Sequence, residues 1–288
     1  MDFVLPGEYV YRGITFCAAN KHVDIDMMKD WHVRPSDVLI ATPPKSGTTW
    51  IGEILRQMRA YHPEANGSEV SMFPPFVELE LPHQPSALGC QDQMPSPRII
   101  KTHLPYEFMK QKVEQEGLKV VVLLREPKDT ITSFYYHYCM KMAFSFAGDF
   151  HQFFELVRQD RLFCGNIFTK ARDWWQARHL PNVLVVKYEE MKKDTAEVVY
   201  RIAQFLGIPL DQEKVDAIIE RSSMTAMSKA MTEAAVDEDG KPVFDDVDKF
   251  FRKGIVGDWK NVMRQDEVDF VDECVRKYYD PVGLNFNV

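Results

Sequence analysis

The sequence has few cysteines, and none of them is paired in a metal-binding or redox motif. They number five, lie far apart and form no Cys-x-x-Cys pair: Cys17, Cys90, Cys139, Cys164 and Cys274. A disulfide framework uses paired cysteines, and a zinc site uses closely spaced ones. We therefore expect reduced thiols, as in a cytoplasmic protein, rather than disulfides or a zinc site.

The sequence also lacks the signals of secretion, membrane insertion and nucleic-acid binding. Its N-terminal segment has neither a basic region nor a long apolar stretch, and no apolar run is long enough to span a bilayer. A formal net charge of −8 argues against a surface that coats nucleic acid or a membrane. We expect a cytoplasmic protein with neither partner, in which an anionic ligand would need a local group of Lys and Arg side chains.

Short apolar runs alternate with helical patterns along the chain. The candidate strands are Val38–Ala41, Arg98–Ile100, Lys119–Leu124 and Val183–Val186, and two helical patterns cover Thr195–Leu206 and Glu267–Tyr278. Strands this apolar, separated by helices, indicate a parallel sheet that is buried on both faces. Residues 1–288 are therefore predicted to form a single α/β domain, a central parallel sheet flanked by helices, with surface loops at Phe73–Pro97 and Val236–Asp248.

The segment Thr42–Trp50 lies between the first candidate strand and a helical pattern. That pattern places four apolar residues on one buried stripe: Ile51, Ile54, Leu55 and Met58. The free N–H groups and positive dipole end of such a helix suit a phosphate or a sulfate. Lys45 adds a full charge, Gly47 lets the backbone approach the ligand, and hydroxyl donors come from Ser46, Thr48 and Thr49.

This loop is P-loop-like, but it is not a Walker A motif. A Walker A loop has Gly-Lys followed by Ser or Thr, with an earlier glycine at a fixed spacing. Here Lys45 precedes Gly47, and no glycine stands at the earlier position. The alternative interpretation is an ordinary strand-to-helix turn with an incidental lysine.

Chemically versatile residues follow the other candidate strands as well. The second strand runs into Lys101 and His103, the third ends at Arg125, and the fourth runs into Tyr188. Ligands of open α/β sheets bind outside the carboxyl ends of the strands. Lys101 and His103 are two residues apart and so lie on one side of an extended segment. The sequence thus predicts a polyanion pocket beside a proton acceptor.

These motifs together resemble those of the cytosolic sulfotransferases. The matching segments occur in order over nearly the whole chain: Lys45–Trp50, Lys101–Pro105, Arg125–Ser133, Tyr188–Met191 and Arg252–Lys260. The family moves a sulfuryl group from 3′-phosphoadenosine 5′-phosphosulfate (PAPS) to a hydroxyl or amine of a small molecule. The resemblance implies that PAPS is the donor, that adenosine 3′,5′-bisphosphate (PAP) is a product, and that a phenol, alcohol or amine is the acceptor. It implies no metal, since the protein supplies the cations.

The resemblance also implies roles for the donor-binding residues. The 5′-phosphosulfate would be held by Lys45, Ser46, Gly47, Thr48 and Thr49. The 3′-phosphate would be held by Arg125, Ser133, Arg252, Lys253 and Gly254. The adenine would contact Trp50, Tyr188, Ser222 and Met224. Many relatives have a phenylalanine where this chain has Met224, and a methionine packs on a ring less rigidly.

For the chemistry, the resemblance implies His103 as a general base for in-line attack on sulfur. An imidazole titrates near neutrality, so we expect it to accept the proton at cellular pH. Lys45 and Lys101 would stabilise growing negative charge, and Ser133 would hold the loop lysine away from the sulfate until the acceptor arrives. Phe76 and His137 are candidate acceptor-pocket residues, although ordinary core packing is the competing interpretation for such side chains.

Two further hypotheses and one departure stay open at this point. The strand–loop–helix could serve a phosphoryl-transfer enzyme such as a nucleotide kinase, or a non-catalytic binder on the same fold. Relatives often carry a dimer signature, Lys-x-x-x-Thr-Val-x-x-x-Glu, where this chain has Lys260, Arg264-Gln265 and Asp269. The central Thr-Val pair is missing, so a homodimer through this segment is left open rather than assumed.

Overall fold

The fold is built on six strands, seen in a computed structural model that describes residues 3–21, 23–65, 67, 73–80, 85–140, 143–234 and 247–287. The strands are β1 (Tyr9–Tyr11), β2 (Ile14–Phe16), β3 (Val38–Ala41), β4 (Ile99–Thr102), β5 (Lys119–Leu124) and β6 (Val183–Lys187). The first two form an antiparallel hairpin. The other four form a parallel sheet in the order β4-β3-β5-β6.

The strand order places a ligand-binding crevice beside β3. The chain leaves β3 for β4 on one side and then crosses to β5 on the other side. In open α/β sheets such a reversal opens a crevice at the carboxyl ends of the strands. The loop that follows β3 and the residues that follow β5 therefore meet there.

Helices cover both faces of the sheet. They are α1 (Thr48–Arg59), α2 (Ala87–Cys90), α3 (Tyr106–Glu114), α4 (Pro127–Tyr138), α5 (Phe150–Arg158), α6 (Ile167–Gln176), α7 (Tyr188–Lys193), α8 (Thr195–Leu206), α9 (Gln212–Arg221), α10 (Met224–Ala234), α11 (Val247–Phe251) and α12 (Gln265–Tyr278). Short 3-10 turns lie at Ala18–Asn20, Ile25–Asp30, Ala177–His179, Asp258–Asn261 and Asp280–Val282. No helix among the described residues is long and apolar enough to cross a membrane.

Successive residues of each central strand pack into opposite cores. In β3, Leu39 and Ala41 belong to one apolar cluster, and Val38 and Ile40 belong to the other. The first cluster includes side chains of α3, α4, α5, α6 and α12, and the second includes side chains of α1, α8 and α9. Burial on both faces explains why these strands are apolar throughout. The predicted fold class, a central parallel sheet flanked by helices with a P-loop-like strand–loop–helix, is confirmed.

The predicted boundaries need three corrections. β4 runs from Ile99 to Thr102, not from Arg98 to Ile100, because its four residues pair with the four residues of β3, from Val38↔Ile99 to Ala41↔Thr102. β6 extends to Lys187, paired with Leu124, and α12 begins at Gln265. The predicted loop at residues 73–97 contains α2, and most of the predicted loop at residues 236–248 lies outside the described residues.

Candidate active site

A cavity of about 740 Å³ opens at the carboxyl ends of the central strands. Most of the site residues predicted from the sequence line it: Lys45, Gly47, Thr48, Thr49, Trp50, Phe76, Lys101, His103, Arg125, Ser133, His137, Tyr188, Met224, Arg252 and Gly254. Three predicted residues, Ser46, Ser222 and Lys253, do not line it. The topology therefore brings together side chains that are far apart in sequence.

The loop after β3 turns sharply into α1 through Gly47. Its φ of +106° lies in the left-handed region, which side chains other than glycine rarely adopt. A Cβ atom there would lie 3.0 Å from Cδ2 of Tyr188 and 3.1 Å from Cδ2 of Leu123. Glycine is thus required both by the backbone conformation and by the close packing of its neighbours.

The N-terminus of α1 faces the cavity without a carboxylate. The first turn contains no acidic residue, and no side chain caps its free N–H groups. Thr48 and Thr49 line the cavity, and Oγ1 of Thr48 lies 2.7 Å from Oγ1 of Thr42. The side chain of Ser46 is buried instead, and its hydroxyl has no hydrogen-bond partner among the described residues. The amides of this first turn have no side-chain cap, and they can therefore bind an anion.

Three basic side chains, those of Lys45, Arg125 and Arg252, line the cavity and interact electrostatically with one another. Burial, together with Arg125 and Arg252, lowers the pKa of Lys45 to about 8. Arg125 donates to the carbonyls of Lys45 at 3.4 Å and Ile255 at 3.2 Å, and its guanidinium lies 4.4 Å from the centre of the Tyr188 ring. Within the described residues, Arg125 forms no ion pair. No Asp or Glu is among the described residues of the lining, so the mutual repulsion favours a bound polyanion.

The side chain of Arg252 is held by a buried carboxylate behind the wall. Asp258 is fully buried and receives hydrogen bonds from Arg252, Lys253 and Asn261. Burial opposes ionisation, but these bonds prevail and lower the pKa of Asp258. The Lys253 side chain is 50% exposed and bonds to Asp258 at 2.9 Å, away from the cavity. Arg252 is thus positioned at the cavity, and the Lys253 ammonium is not.

The adenine end predicted from the sequence is an aromatic corner. The rings of Trp50 and Tyr188 meet edge to face with centroids 5.6 Å apart, and the Tyr188 hydroxyl donates to the Gly254 carbonyl at 3.2 Å. Met224 lines the cavity and is 45% exposed. The hydroxyl of Ser222 bonds to the Ile219 carbonyl, and the neighbouring Ser223 takes the place on the wall.

Lys101 reaches the cavity from inside β4. Its ammonium lies 4.1 Å from the centre of the Phe76 ring, and the two residues pair through an isolated parallel bridge. Burial lowers the pKa of Lys101 to about 7, although Glu78 acts in the opposite direction. Lys101 is therefore a buried amine that lines the same cavity as His103, as the spacing of the two residues predicts.

The imidazole of His103 has one defined tautomer. Its Nδ1 lies 2.8 Å from the carbonyl oxygen of Thr42, and a carbonyl only accepts hydrogen bonds. Nδ1 therefore carries the proton, and Nε2 keeps a lone pair. Burial lowers the pKa of His103 to about 3, with Lys170, Lys101 and Lys45 adding to the effect and the Thr42 carbonyl opposing it. The expectation of titration near neutrality is corrected: in this structure the imidazole is neutral throughout the physiological range.

Sequence reasoning missed the residues behind His103. Glu78 is fully buried and accepts hydrogen bonds from the His103 backbone N–H and the Thr102 hydroxyl. Lys170 is 1% exposed, and its ammonium has no hydrogen-bond partner among the described residues. Glu78 lies in an irregular segment and Lys170 on α6, so neither carries a motif. The burial of an ionisable side chain is visible only once the fold is known.

The remaining wall of the cavity is apolar. Its side chains come from the N-terminal segment, the loops and helices α4, α10 and α11: Pro6, Cys17, Phe73, Phe76, Leu79, Phe134, Phe144, Phe163, Met227, Met231 and Phe250. Such a surface suits an apolar small molecule, and the polar side chains of Lys101, His103 and His137 also belong to the cavity lining.

The fold and the cavity together define an α/β protein with a P-loop-like anion site beside a neutral imidazole. The chain belongs to the sulfotransferase family, because residues 35–283 match the model of the sulfotransferase domain. Sulfotransferase 1C2 from Rattus norvegicus is 33% identical over 268 residues, which cover 90% of this chain and 88% of the relative. Sulfotransferase 1A1 from Canis lupus familiaris is 31% identical over 265 residues, which cover 91% of this chain and 90% of the relative. The prediction of a PAPS-dependent sulfotransferase is confirmed as the enzyme class.

Solved structures that share the fold include two with bound PAP. Mouse sulfotransferase SULT7A1 complexed with PAP superimposes with a TM-score of 0.79 at 27% identity, covering 96% of both chains. Retinol dehydratase in complex with retinol and PAP gives a TM-score of 0.81 at 21% identity, covering 96% of this chain and 90% of that chain. At that lower identity, the second comparison shows the fold alone.

Proposed function

We propose that this chain transfers a sulfuryl group from PAPS to a hydroxyl or amine of a small-molecule acceptor, with His103 as the general base. One observation carries the proposal: the Thr42 carbonyl fixes the proton on Nδ1 of His103, in a cavity also lined by Lys45 and Lys101. An imidazole held in this tautomer can accept a proton at Nε2 in every turnover.

The donor end of the cavity fits a molecule with phosphate and sulfate groups. Lys45, Thr48 and Thr49 would hold the phosphosulfate together with the amides of α1. Arg125, Ser133 and Arg252 would hold the 3′-phosphate, and Trp50, Tyr188 and Met224 would border the base. A hydrogen bond to a charged group contributes roughly 1.5–3 kcal/mol. Three or four such bonds suffice for a dissociation constant near 1 μM, which corresponds to about 8 kcal/mol.

The chemistry would follow from the positions of three side chains. PAPS supplies the sulfuryl group, and His103 Nε2 accepts the proton of the attacking hydroxyl or amine. The bond from the acceptor atom to sulfur forms as the bond from sulfur to the phosphate oxygen breaks. Lys45 and Lys101 stabilise the negative charge that grows on the departing phosphate.

The low pKa of the His103 imidazole is compatible with this role. The group is neutral before the donor binds, so it needs no deprotonation to act as a base. Lys45 and Lys101 contribute to its low pKa. A bound polyanion offsets those two cations and thereby raises the basicity of Nε2. The base becomes stronger when the donor is in place.

The charged side chains that line the cavity disfavour the alternative function, phosphoryl transfer. Magnesium in kinases is bound by carboxylates together with substrate phosphates. The described residues that line the cavity include several cations and no Asp or Glu. Protein cations would therefore neutralise the donor, and we expect transfer that needs no metal.

Transfer from sulfur-35-labelled PAPS to a panel of phenols, steroids, alkyl alcohols and arylamines tests the proposal. We expect a labelled product with the wild type in the presence of EDTA, and at least a ~100-fold lower rate with His103→Ala. His179→Ala is the matched control, because this exposed imidazole bonds to the Gln176 carbonyl within its own turn and, in the described part of the chain, to no other residue. If His103→Ala transferred sulfate at the wild-type rate, His103 would not be the general base. A requirement for Mg²⁺ would favour phosphoryl transfer.

A further inference from the structure

The acceptor side of the cavity contains a second imidazole that the proposed chemistry does not use. His137 lies on α4 between the rings of Phe134 and Phe144, with centroid distances of 6.3 Å and 5.9 Å. Its Nδ1 is buried and has no hydrogen-bond partner within the described part of the chain. Because the side chain lines the cavity while Nδ1 is buried, Nε2 is the nitrogen left to face the cavity.

The buried nitrogen determines where the His137 proton lies. Burial lowers the pKa of His137 well below its usual value, with Lys45 and His103 adding to the effect, so the ring is neutral. A neutral imidazole has one N–H donor and one bare acceptor nitrogen. Buried donors without a partner are rarer in proteins than unsatisfied acceptors. The proton is therefore assigned to Nε2, where the N–H can donate a hydrogen bond to a molecule in the cavity.

The cavity thus contains two imidazoles of opposite tautomer. His103 donates from Nδ1 to the Thr42 carbonyl and presents a lone pair at Nε2. In His137, Nδ1 is buried without a partner among the described residues, so the lone pair is assigned to Nδ1 and the N–H to Nε2. One imidazole can accept a hydrogen bond from a molecule in the cavity, and the other can donate a hydrogen bond to the same molecule.

We infer that the preferred acceptor carries two oxygens: a hydroxyl that reacts at His103, and a carbonyl, ether or second hydroxyl oxygen that accepts a hydrogen bond from His137 Nε2. This inference rests on the proposed function and narrows its acceptor class. The cavity also has no Asp or Glu among its described lining residues to pair with a protonated amine. A neutral, mainly apolar hydroxy compound with a second oxygen therefore matches the site better than a cationic amine.

A series of matched phenols tests the inference. Its reference is a 4-alkylphenol, and in each other member a ketone carbonyl replaces one methylene at successive positions of the alkyl chain. At least two methylenes separate the carbonyl from the ring, so the acidity of the reacting hydroxyl stays constant. The ratio of kcat/KM for each ketone to that for the alkylphenol is measured. We expect one carbonyl position to be preferred by about fivefold in the wild type.

Variants of His137 then identify the donor. His137→Phe keeps an aromatic ring and removes the N–H, so the ratio at the preferred position should fall by about tenfold or more. His137→Gln keeps an N–H donor and should retain part of the preference. His179→Ala should leave the ratio unchanged. The same ratio in the wild type and His137→Phe would overturn the inference, while turnover of the alkylphenol would still support the proposed function.

The tautomers can be measured without any turnover. In nitrogen-15 spectra of histidine-labelled protein, the signals of His103 and His137 are assigned by their loss in His103→Ala and His137→Phe. We expect an Nδ1–H tautomer for His103 and an Nε2–H tautomer for His137. An imidazolium or an Nδ1–H tautomer at His137 would overturn the inference independently of sulfate transfer.

Discussion

The backbone N–H of His103 donates a hydrogen bond of 2.7 Å to Oε1 of Glu78, a carboxylate with no exposed surface. Oε2 of the same group accepts from the Thr102 hydroxyl at 2.8 Å. The side chain of Asn20 holds the Glu78 backbone in turn, through a bond of 2.7 Å to its carbonyl. Glu78 therefore holds the last residue of β4, Thr102, together with the backbone of the proposed base, His103.

Glu78 should act as a positioning residue for His103. In Glu78→Ala, two buried donors lose their acceptor, and an imidazole displaced by about 1 Å can cost up to ~100-fold in rate. We expect kcat to fall at least ~10-fold, with the dissociation constant of PAP changed less than about twofold. Glu78→Gln keeps an acceptor for the His103 N–H and should recover most of kcat. Equal kcat in wild type and folded Glu78→Ala, verified by circular dichroism, would contradict this role.

Binding of PAP should weaken as the pH rises above 8. The pKa of Lys45 is lowered to about 8, so its charge is present below that pH and is lost above it. A bound anion favours the charged form, so binding takes up a proton. The logarithm of the dissociation constant should then rise by up to ~1 per pH unit between pH 8 and pH 9.5.

Calorimetry over this pH range, in buffers of different ionisation enthalpy, measures both the affinity and the proton uptake. Lys45→Met removes the titrating group with little change in side-chain length. Its PAP affinity should be lower at pH 7.5 and should depend less on pH. A constant wild-type affinity from pH 7.5 to pH 9.5 would show that Lys45 does not contact the anion.

Arg252 should distinguish nucleotides by their 3′-phosphate. Loss of one charged hydrogen bond, at about 1.5–3 kcal/mol, predicts a ~10- to 100-fold weaker affinity of Arg252→Ala for PAP. The affinity for adenosine 5′-monophosphate, which lacks the 3′-phosphate, should change less than about threefold. Lys260→Ala is the control, because this exposed lysine stands outside the cavity lining. If Arg252→Ala lost affinity equally for both nucleotides, Arg252 would not contact the 3′-phosphate.

Gly47 should be intolerant of a side chain. In Gly47→Ala, a methyl group combines a left-handed backbone with contacts near 3.0 Å to Tyr188 and Leu123. We expect the free energy of unfolding to fall by about 1–3 kcal/mol and PAP affinity to fall with it. Gly117 shares the positive φ, but a Cβ atom added there meets no atom within 4 Å. Gly117→Ala should therefore change the stability and leave the PAP affinity unchanged. Urea denaturation and calorimetry measure the two effects, and unchanged PAP affinity in Gly47→Ala would contradict the account of the loop.

Much of the site could be predicted because parallel strands deliver their end residues to one edge. Lys45, Lys101, His103 and Arg125 follow from the apolar strands and the residues next to them. Glu78 could not be found in this way, since it lies in an irregular segment that meets β4 only through the fold. The pKa of His103 was equally hidden, because burial is a property of the packed structure.

Side-chain direction sets the other limit of the sequence reasoning. Ser223 lines the cavity where Ser222 was predicted, and the Lys253 ammonium faces Asp258. A shift of one residue at a helix end rotates a side chain away from a ligand, and no local pattern fixes that rotation. The roles of Ser222 and Lys253 as donor-binding residues stay predictions. The loop motif around Lys45 is more robust because its backbone amides contribute regardless of side-chain direction.

The central claim is that the cations and amides at the carboxyl edge of the sheet bind a doubly phosphorylated nucleotide. Isothermal titration of the folded wild-type chain with PAP at pH 7.5 tests it most directly. The account predicts one site per chain with a dissociation constant of about 1 μM. No detectable uptake of PAP by the folded protein would contradict it.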